Sequence, residues 1–113
     1  MKNRIQRVNQ LIKREIAQIL LRELDSPKNT LVTVTKVKTS VNLNQATVYV
    51  SVIPEAKTQR IFKMLSQLIY EIQGELNRHL KMRPIPRIRF VEEKETKQAG
   101  RIEEILEKIK END

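Results

Sequence analysis

The stretch KMRPIPRIRF, residues 81–90, has the residue types and spacing needed to bind phosphate groups. It contains four basic residues and no acidic one: Lys81, Arg83, Arg87 and Arg89. An arginine guanidinium donates two parallel hydrogen bonds to phosphate oxygens, so closely spaced arginines favour a polyanionic ligand. Two prolines exclude a helix through this stretch. The alternation of basic and apolar residues after Pro86 predicts a strand with its arginines on one face.

Other basic residues extend this candidate interface. Arg78 lies just before the stretch, so we expect one phosphate-contacting patch made of Arg78, Lys81, Arg83, Arg87 and Arg89. Helical spacing groups a second patch on the first predicted helix, made of Arg4, Arg7 and Arg14, with Lys13 beside them. Lys36 and Lys38 share one face of the first predicted strand. A single surface charge is commonly only solvated, so the cluster at 78–89 carries most of this prediction.

The sequence offers little for catalysis or metal binding. His79 is the only histidine, and no carboxylate or nucleophile is associated with it in sequence. Glu92 and Glu93 are adjacent in a predicted strand and would point to opposite faces. The chain has no cysteine, and its two glycines, Gly74 and Gly100, are too far apart for a phosphate-binding loop. We therefore expect no enzyme, cofactor or metal, although a nucleic-acid hydrolase that uses His79 stays open as an alternative.

Length and charge fit a small nucleic-acid-binding protein. The chain has 113 residues, which predicts a single domain over 1–113, with a net charge of +8 and a pI near 10.0. Residues 1–90 hold 17 basic and six acidic groups, whereas residues 91–113 hold five basic and eight acidic groups. A basic body with an acidic end favours a polyanionic partner. Without an apolar segment at the N-terminus or of membrane-spanning length, we expect a cytoplasmic protein that does not enter a membrane.

Hydrophobic periodicity defines the elements that would position these residues. Apolar positions at helical spacing predict helices over 3–24, 57–80 and 101–111, and β-branched runs predict strands over 31–40, 46–53 and 87–92. Val37 is out of phase with Val32 and Val34, which predicts a bulge near Lys36. Gly74 inside the second helical region could split it into two helices. This order predicts an α+β sandwich with a three-stranded sheet and helices on one face.

The aromatic residues are few and dispersed along the chain. Tyr49, Phe62, Tyr70 and Phe90 do not form the adjacent pairs on which single-stranded nucleic acids stack. We expect the two phenylalanines to fill the core. The sequence therefore favours a structured RNA, recognised through shape and backbone, although a generic RNA or DNA binder is a second possibility.

Several stretches together resemble the ribosome-binding factor A family. RVNQLIKREIAQIL (7–20) is similar to the family's first helix, and ELDSP (23–27) to the segment that ends it. VTVTKVKTS (32–40) and ATVYVSV (46–52) resemble its hairpin. LNRHLKMRPIPRIRFVEE (76–93) resembles its basic helix end and third strand, and RIEEIL (101–106) its closing helix. The resemblance covers about residues 4–109.

The resemblance implies a KH-like fold of type II topology, in the order helix, strand, strand, helix, helix, strand, with a helix at the C-terminus. It implies a monomeric, non-enzymatic factor that binds the free small (30S) ribosomal subunit and its 16S ribosomal RNA. Late subunit maturation, rRNA processing and cold adaptation are the implied roles. The family bends its second helical region at an Ala-x-Gly step, which aligns here with Leu68, Ile69 and Tyr70. The bend is therefore expected at Gly74 instead, or the helix is straighter.

Overall fold

The computed structural model describes residues 4–94, and the helix predicted over 101–111 lies outside this range. The described elements follow the predicted order. They are α1 (Arg4–Glu23), β1 (Leu31–Thr39), β2 (Gln45–Ile53), a 3-10 turn (Glu55–Lys57), α2 (Thr58–His79) and β3 (Arg87–Glu92). The sheet order is β1-β2-β3, with β1 antiparallel to β2 and β3 parallel to β2. The α+β fold class is thus confirmed.

Both helices pack on the same face of the sheet. On β2, Ala46, Val48, Val50 and Val52 are buried, while the intervening residues are partly exposed. The predicted apolar stripe of α1 is buried against this face through Val8, Ile12, Ile16, Ile19 and Leu20. The predicted apolar stripe of α2 is buried against the same face through Ile61, Leu65, Ile72 and Leu76. Phe62 and Phe90 are half-buried against this core, in agreement with the prediction.

The predicted bulge is present in β1. The pairing of β1 with β2 shifts between Val34 and Lys36, leaving Thr35 outside the regular register. The extra residue lets both Val34 and Val37 face the core despite their odd spacing. It also turns Lys36 and Lys38 to the opposite, outer face of the sheet.

The second helical region is one continuous helix in the described residues, where the predicted order had two consecutive helices. α2 is continuous from Thr58 to His79, through both Gly74 and the segment 68–70. Gly74 does not have a positive φ, and a Cβ there would meet only the Arg78 side chain, at 3.6 Å. The packing of the apolar stripe on both sides of Gly74 outweighs the cost of about 1 kcal/mol that glycine imposes on a helix.

Candidate nucleic-acid interface

The outer face of the sheet, opposite α1 and α2, gathers four basic side chains from its two edge strands. Lys36 and Lys38 project from β1, Arg87 and Arg89 from β3, and all four are exposed. Lys38 pairs with Thr47, which pairs with Arg89, so these residues form one row across the sheet. Neighbouring strands are about 4.8 Å apart, which places the backbones of Lys38 and Arg89 roughly 10 Å apart. We call these four residues the sheet-face cluster.

The central strand presents polar groups between the two basic edges. Gln45 pairs with Arg87, and Tyr49 pairs with Lys36 on one side and Val91 on the other. The Lys36 Nζ lies 4.6 Å from the centre of the Tyr49 ring, and the Lys38 Nζ lies 6.0 Å from it. Both distances are in the range of a cation–π interaction. The ring is therefore in contact with the positive charges of β1.

An acidic residue limits this surface at the far end of β3. The Glu93 carboxylate accepts a hydrogen bond from the Thr35 hydroxyl at 3.0 Å and lies 4.0 Å from the Lys36 Nζ. Positive charge therefore extends from Arg87 to Lys36 and stops at Glu93. A polyanion would be attracted to the face between Arg87 and Lys36 and repelled near Glu93.

Gln73 of α2 fixes the start of β3, which carries two of the four basic residues. Its Oε1 accepts a hydrogen bond from the Ile88 amide at 2.9 Å, and its Nε2 donates to the Pro86 carbonyl at 3.1 Å. Within residues 4–94, β3 is an edge strand, so these backbone groups have no strand partner there on that side. The glutamine takes the place of a neighbouring strand and holds Arg87 and Arg89 in position.

The predicted patch on α1 lies beside the sheet-face cluster. Arg7, Lys13 and Arg14 line a groove of about 1060 Å³ between α1 and the edge strand β1, and Lys36 lines the same groove. Asn9 ties the helix to the strand there, because its Oδ1 accepts a hydrogen bond from the Thr39 amide at 2.9 Å. Lys36 therefore belongs to both surfaces. Arg4 is exposed in the first turn of the same helix.

The remaining predicted residues lie at the end of α2 and in the loop that follows. Arg78, Lys81 and Arg83 are all exposed. Arg83 donates a hydrogen bond to the Met82 carbonyl at 2.8 Å. Arg78 lies close enough to Glu75 to help lower the pKa of that carboxyl. A patch that joins these three residues to β3 stays a prediction.

The helices are joined by an ionic contact on the surface. Arg22 of α1 donates a hydrogen bond to Glu75 of α2 at 3.0 Å. This bond, followed by a hydrogen bond with Glu23, holds the pKa of Glu75 below its ordinary value. The pKa of Glu23 is raised, first by the hydrogen bond with Glu75 and then by the charge of that group. These groups connect α1 to α2 and contribute no basic surface.

Sequence reasoning assigned the four members of the sheet-face cluster to the interface but did not group them. It joined Arg87 and Arg89 to the end of α2, and it treated Lys36 and Lys38 as a separate pair. It also missed Tyr49 and Gln73. The hairpin register would have placed Tyr49 opposite Lys36, once the bulge was counted, whereas no local signal marks the contact of Gln73 with β3.

Catalytic and metal-binding residues do not come together in the described range. His79 is exposed at the last residue of α2. Among residues 4–94, no three His, Cys, Asp or Glu side chains are close enough to share a metal ion. The described helices also include none that is long and apolar enough to cross a bilayer.

Known proteins resemble this chain over almost its whole length. The family model described as ribosome-binding factor A matches residues 4–106. The chain is 37% identical to ribosome-binding factor A of Bdellovibrio bacteriovorus over 107 residues, which cover 94% of this chain and 80% of that protein. It is 30% identical to that of Lacticaseibacillus casei, with coverage of 97% and 96%.

Solved structures agree with the sequence comparisons. The crystal structure of ribosome-binding factor A from Thermus thermophilus superposes with a TM-score of 0.67 at 26% identity, covering 80% of this chain and 97% of that one. A Thermus thermophilus homology model fitted into the cryo-EM map of a 30S–RbfA complex gives a TM-score of 0.61 at 27% identity, with coverage of 74% and 88%. The fold is thus KH-like, and the chain belongs to the ribosome-binding factor A family.

Proposed function

We propose that this protein binds the free small ribosomal subunit through its 16S ribosomal RNA and assists late subunit maturation and rRNA processing. Family membership supports the ribosomal target, as does the relative fitted into the map of a 30S–RbfA complex. The observation that carries the proposal is the basic surface formed by the sheet-face cluster and the α1 groove, which share Lys36. We further propose a cytoplasmic, monomeric and non-enzymatic factor with a role in cold adaptation.

The mechanism that fits such a surface is a shift between RNA conformations. A bound factor changes the equilibrium between two states of the RNA only by the difference in its affinity for them. Lysines and arginines arranged on a rigid sheet match one spacing of phosphates better than another. The protein would therefore stabilise the subunit conformation whose phosphates fit its basic surface, without making or breaking a covalent bond.

Charge reversal on β3 tests this proposal. Arg87→Glu combined with Arg89→Glu places two negative charges where phosphates are expected, and it should abolish binding to small subunits. Both residues are exposed, so the circular dichroism spectrum and melting temperature should match those of the unchanged protein. Binding is measured by co-sedimentation with purified small subunits.

A matched control separates local contacts from overall charge. Arg60→Glu with Lys63→Glu makes the same charge change at exposed positions in the first half of α2. This control should retain most of the binding. Equal loss in both double variants would indicate attraction by net charge alone, and unchanged binding of the β3 variant would remove that strand from the interface.

Salt dependence gives a second measure of the same contacts. Each neutralised phosphate releases counterions, with a slope of about −0.7 to −0.9 per contact in a plot of log affinity against log salt. Four contacts from the sheet-face cluster would then weaken binding roughly 50- to 150-fold for a fourfold rise in salt.

A further inference from the structure

The proposed function leaves open which form of RNA meets the outer face of the sheet. Tyr49 lies on the central strand of that face, between the two lysines of β1 and the two arginines of β3 that form the sheet-face cluster. Its hydroxyl-bearing neighbours, Thr47 and Ser51, are partly exposed on the same face. Within residues 4–94, neither helix contacts this side of the sheet through its buried stripe.

We propose that the outer face of the sheet binds a single-stranded RNA segment and that one unpaired base stacks on Tyr49. This inference rests on the proposed function, because it specifies the RNA that the sheet-face cluster would hold. Binding of single strands commonly combines positive charge along the backbone path with an aromatic ring under a base. Here the positive charge and the aromatic ring occur on the same face of the sheet. The Tyr49 ring lies beside Lys36, and Tyr49 is two residues along β2 from the row that joins Lys38 to Arg89.

The contacts of Tyr49 distinguish this surface from an ordinary half-buried tyrosine. Its ring is approached by the ammonium groups of Lys36 and Lys38, at 4.6 and 6.0 Å. These long side chains can rotate away from the ring, because both are exposed. A base that takes the place of Lys36 over the ring would bring its own phosphate within reach of the released ammonium group.

The arrangement also disfavours a duplex. A base pair inside a helix presents only its edge, so its face cannot cover Tyr49. On the outer face of the sheet itself the basic region is short, because Glu93 ends it beside Lys36. It therefore suits a few nucleotides of a single strand, with phosphates near Lys38, Arg87 and Arg89 and a base over the ring.

Tyrosine fluorescence can test the stacking directly, because the chain contains two tyrosines and no tryptophan. Tyr70 is 85% exposed on α2, so Tyr70→Phe should leave the fold intact and make Tyr49 the only emitting tyrosine. A single-stranded RNA of about 12 nucleotides, within the range of known single-strand sites, serves as the probe. Stacking should quench Tyr49 emission as the RNA binds.

The reciprocal variant is the control. Tyr49→Phe leaves Tyr70 as the only emitting tyrosine and retains an aromatic face at position 49. Absorption of the exciting light by the RNA affects both variants equally, so only quenching in excess of that in Tyr49→Phe reports stacking. Equal emission changes in the two variants, with binding confirmed by fluorescence anisotropy of a labelled RNA, would overturn the inference.

Affinities provide a second measurement. Tyr49→Val keeps a residue with high strand propensity on β2 but removes the ring, and it should weaken binding of the single strand about tenfold. Tyr49→Phe keeps the ring and should bind the single strand more tightly than Tyr49→Val does. Tyr49→Val should lose much less affinity for a blunt duplex of the same sequence than for the single strand. An equal loss for both probes would contradict the preference for single strands.

The two proposals fail in different ways. If the unchanged protein co-sediments with small subunits but single-stranded RNA does not quench Tyr49, the stacking inference is wrong and the proposed function stands. If the RNA quenches Tyr49 but the protein does not bind small subunits, the proposed ribosomal target is wrong instead.

Discussion

Gln73 offers a sharp test of how the fold positions the basic residues of β3. The residue is half-buried on α2, and it pairs with the Ile88 amide and the Pro86 carbonyl at the edge of the sheet. Gln73→Met keeps the length and approximate volume of the side chain but removes both of these hydrogen bonds, together with the exposed one that Nε2 donates to the Asn77 Oδ1 at 3.1 Å. The Ile88 and Pro86 backbone groups would then have no partner in a region where both residues are almost fully buried.

The expected loss of stability follows from these two groups. A buried backbone donor or acceptor left without a partner costs about 1–3 kcal/mol. Because the Gln73 side chain that covers these groups is only half-buried, we expect the lower part of that range for each group. The free energy of unfolding should therefore fall by about 2–3 kcal/mol. With a urea m-value of about 1–1.5 kcal/mol per molar, the unfolding midpoint should fall by roughly 2 M.

Urea unfolding followed by circular dichroism measures this change. Gln67→Met is the matched control, because it makes the same chemical change at an exposed position of the same helix, and it should shift stability by no more than about 0.5 kcal/mol. Amide hydrogen exchange should also show faster exchange at Ile88 in Gln73→Met. A loss in Gln73→Met no greater than that in Gln67→Met would refute the role assigned to Gln73.

Two further predictions concern the surface. Because the folded pKa of Glu75 lies below its ordinary value of 4.5, this carboxylate stabilises the fold above about pH 4.5, and the contribution is lost as the pH falls through the lowered pKa. Arg22→Gln should raise the pKa of Glu75, as followed by NMR titration, and an unchanged pKa would exclude the pairing. Arg7→Gln with Arg14→Gln should weaken binding to small subunits and reduce the salt slope by about 1.4 to 1.8, whereas Lys63→Gln should leave the slope unchanged.

Local sequence signals predicted most of the fold. The apolar stripes placed α1 and α2 within one or two residues of their observed bounds, and the strand over 87–92 was predicted at its observed limits. The phase change between Val34 and Val37 predicted the bulge, because side chains alternate strictly along a strand and the core requires both valines. These signals are local and depend on periodicity, which the sequence shows directly.

The continuity of α2 was not predictable in the same way. A glycine within a helical pattern weakens the helix by an amount similar to the gain from one buried side chain, so the sequence leaves the outcome open. The structure shows apolar residues buried on both sides of Gly74, at Ile72 and Leu76. Tertiary packing therefore determines that α2 continues through Gly74, and this packing cannot be derived from helix propensity.

The grouping of the site residues depended on pairing between distant segments. Arg89 shares a row with Lys38 only because β3 lies parallel to β2 while β1 lies antiparallel to it. The sequence indicated the two basic strands separately but not their register. The same limit applies to Gln73, whose partners lie 13 and 15 residues further along the chain.

The most direct test of the central claim is co-sedimentation of the protein with purified small subunits, large subunits and complete ribosomes across a salt series. We expect binding only to free small subunits, with affinity that falls steeply as salt rises. Equal binding to all three particles, or binding to none of them, would contradict a specific small-subunit factor and leave a basic KH-like protein with another target.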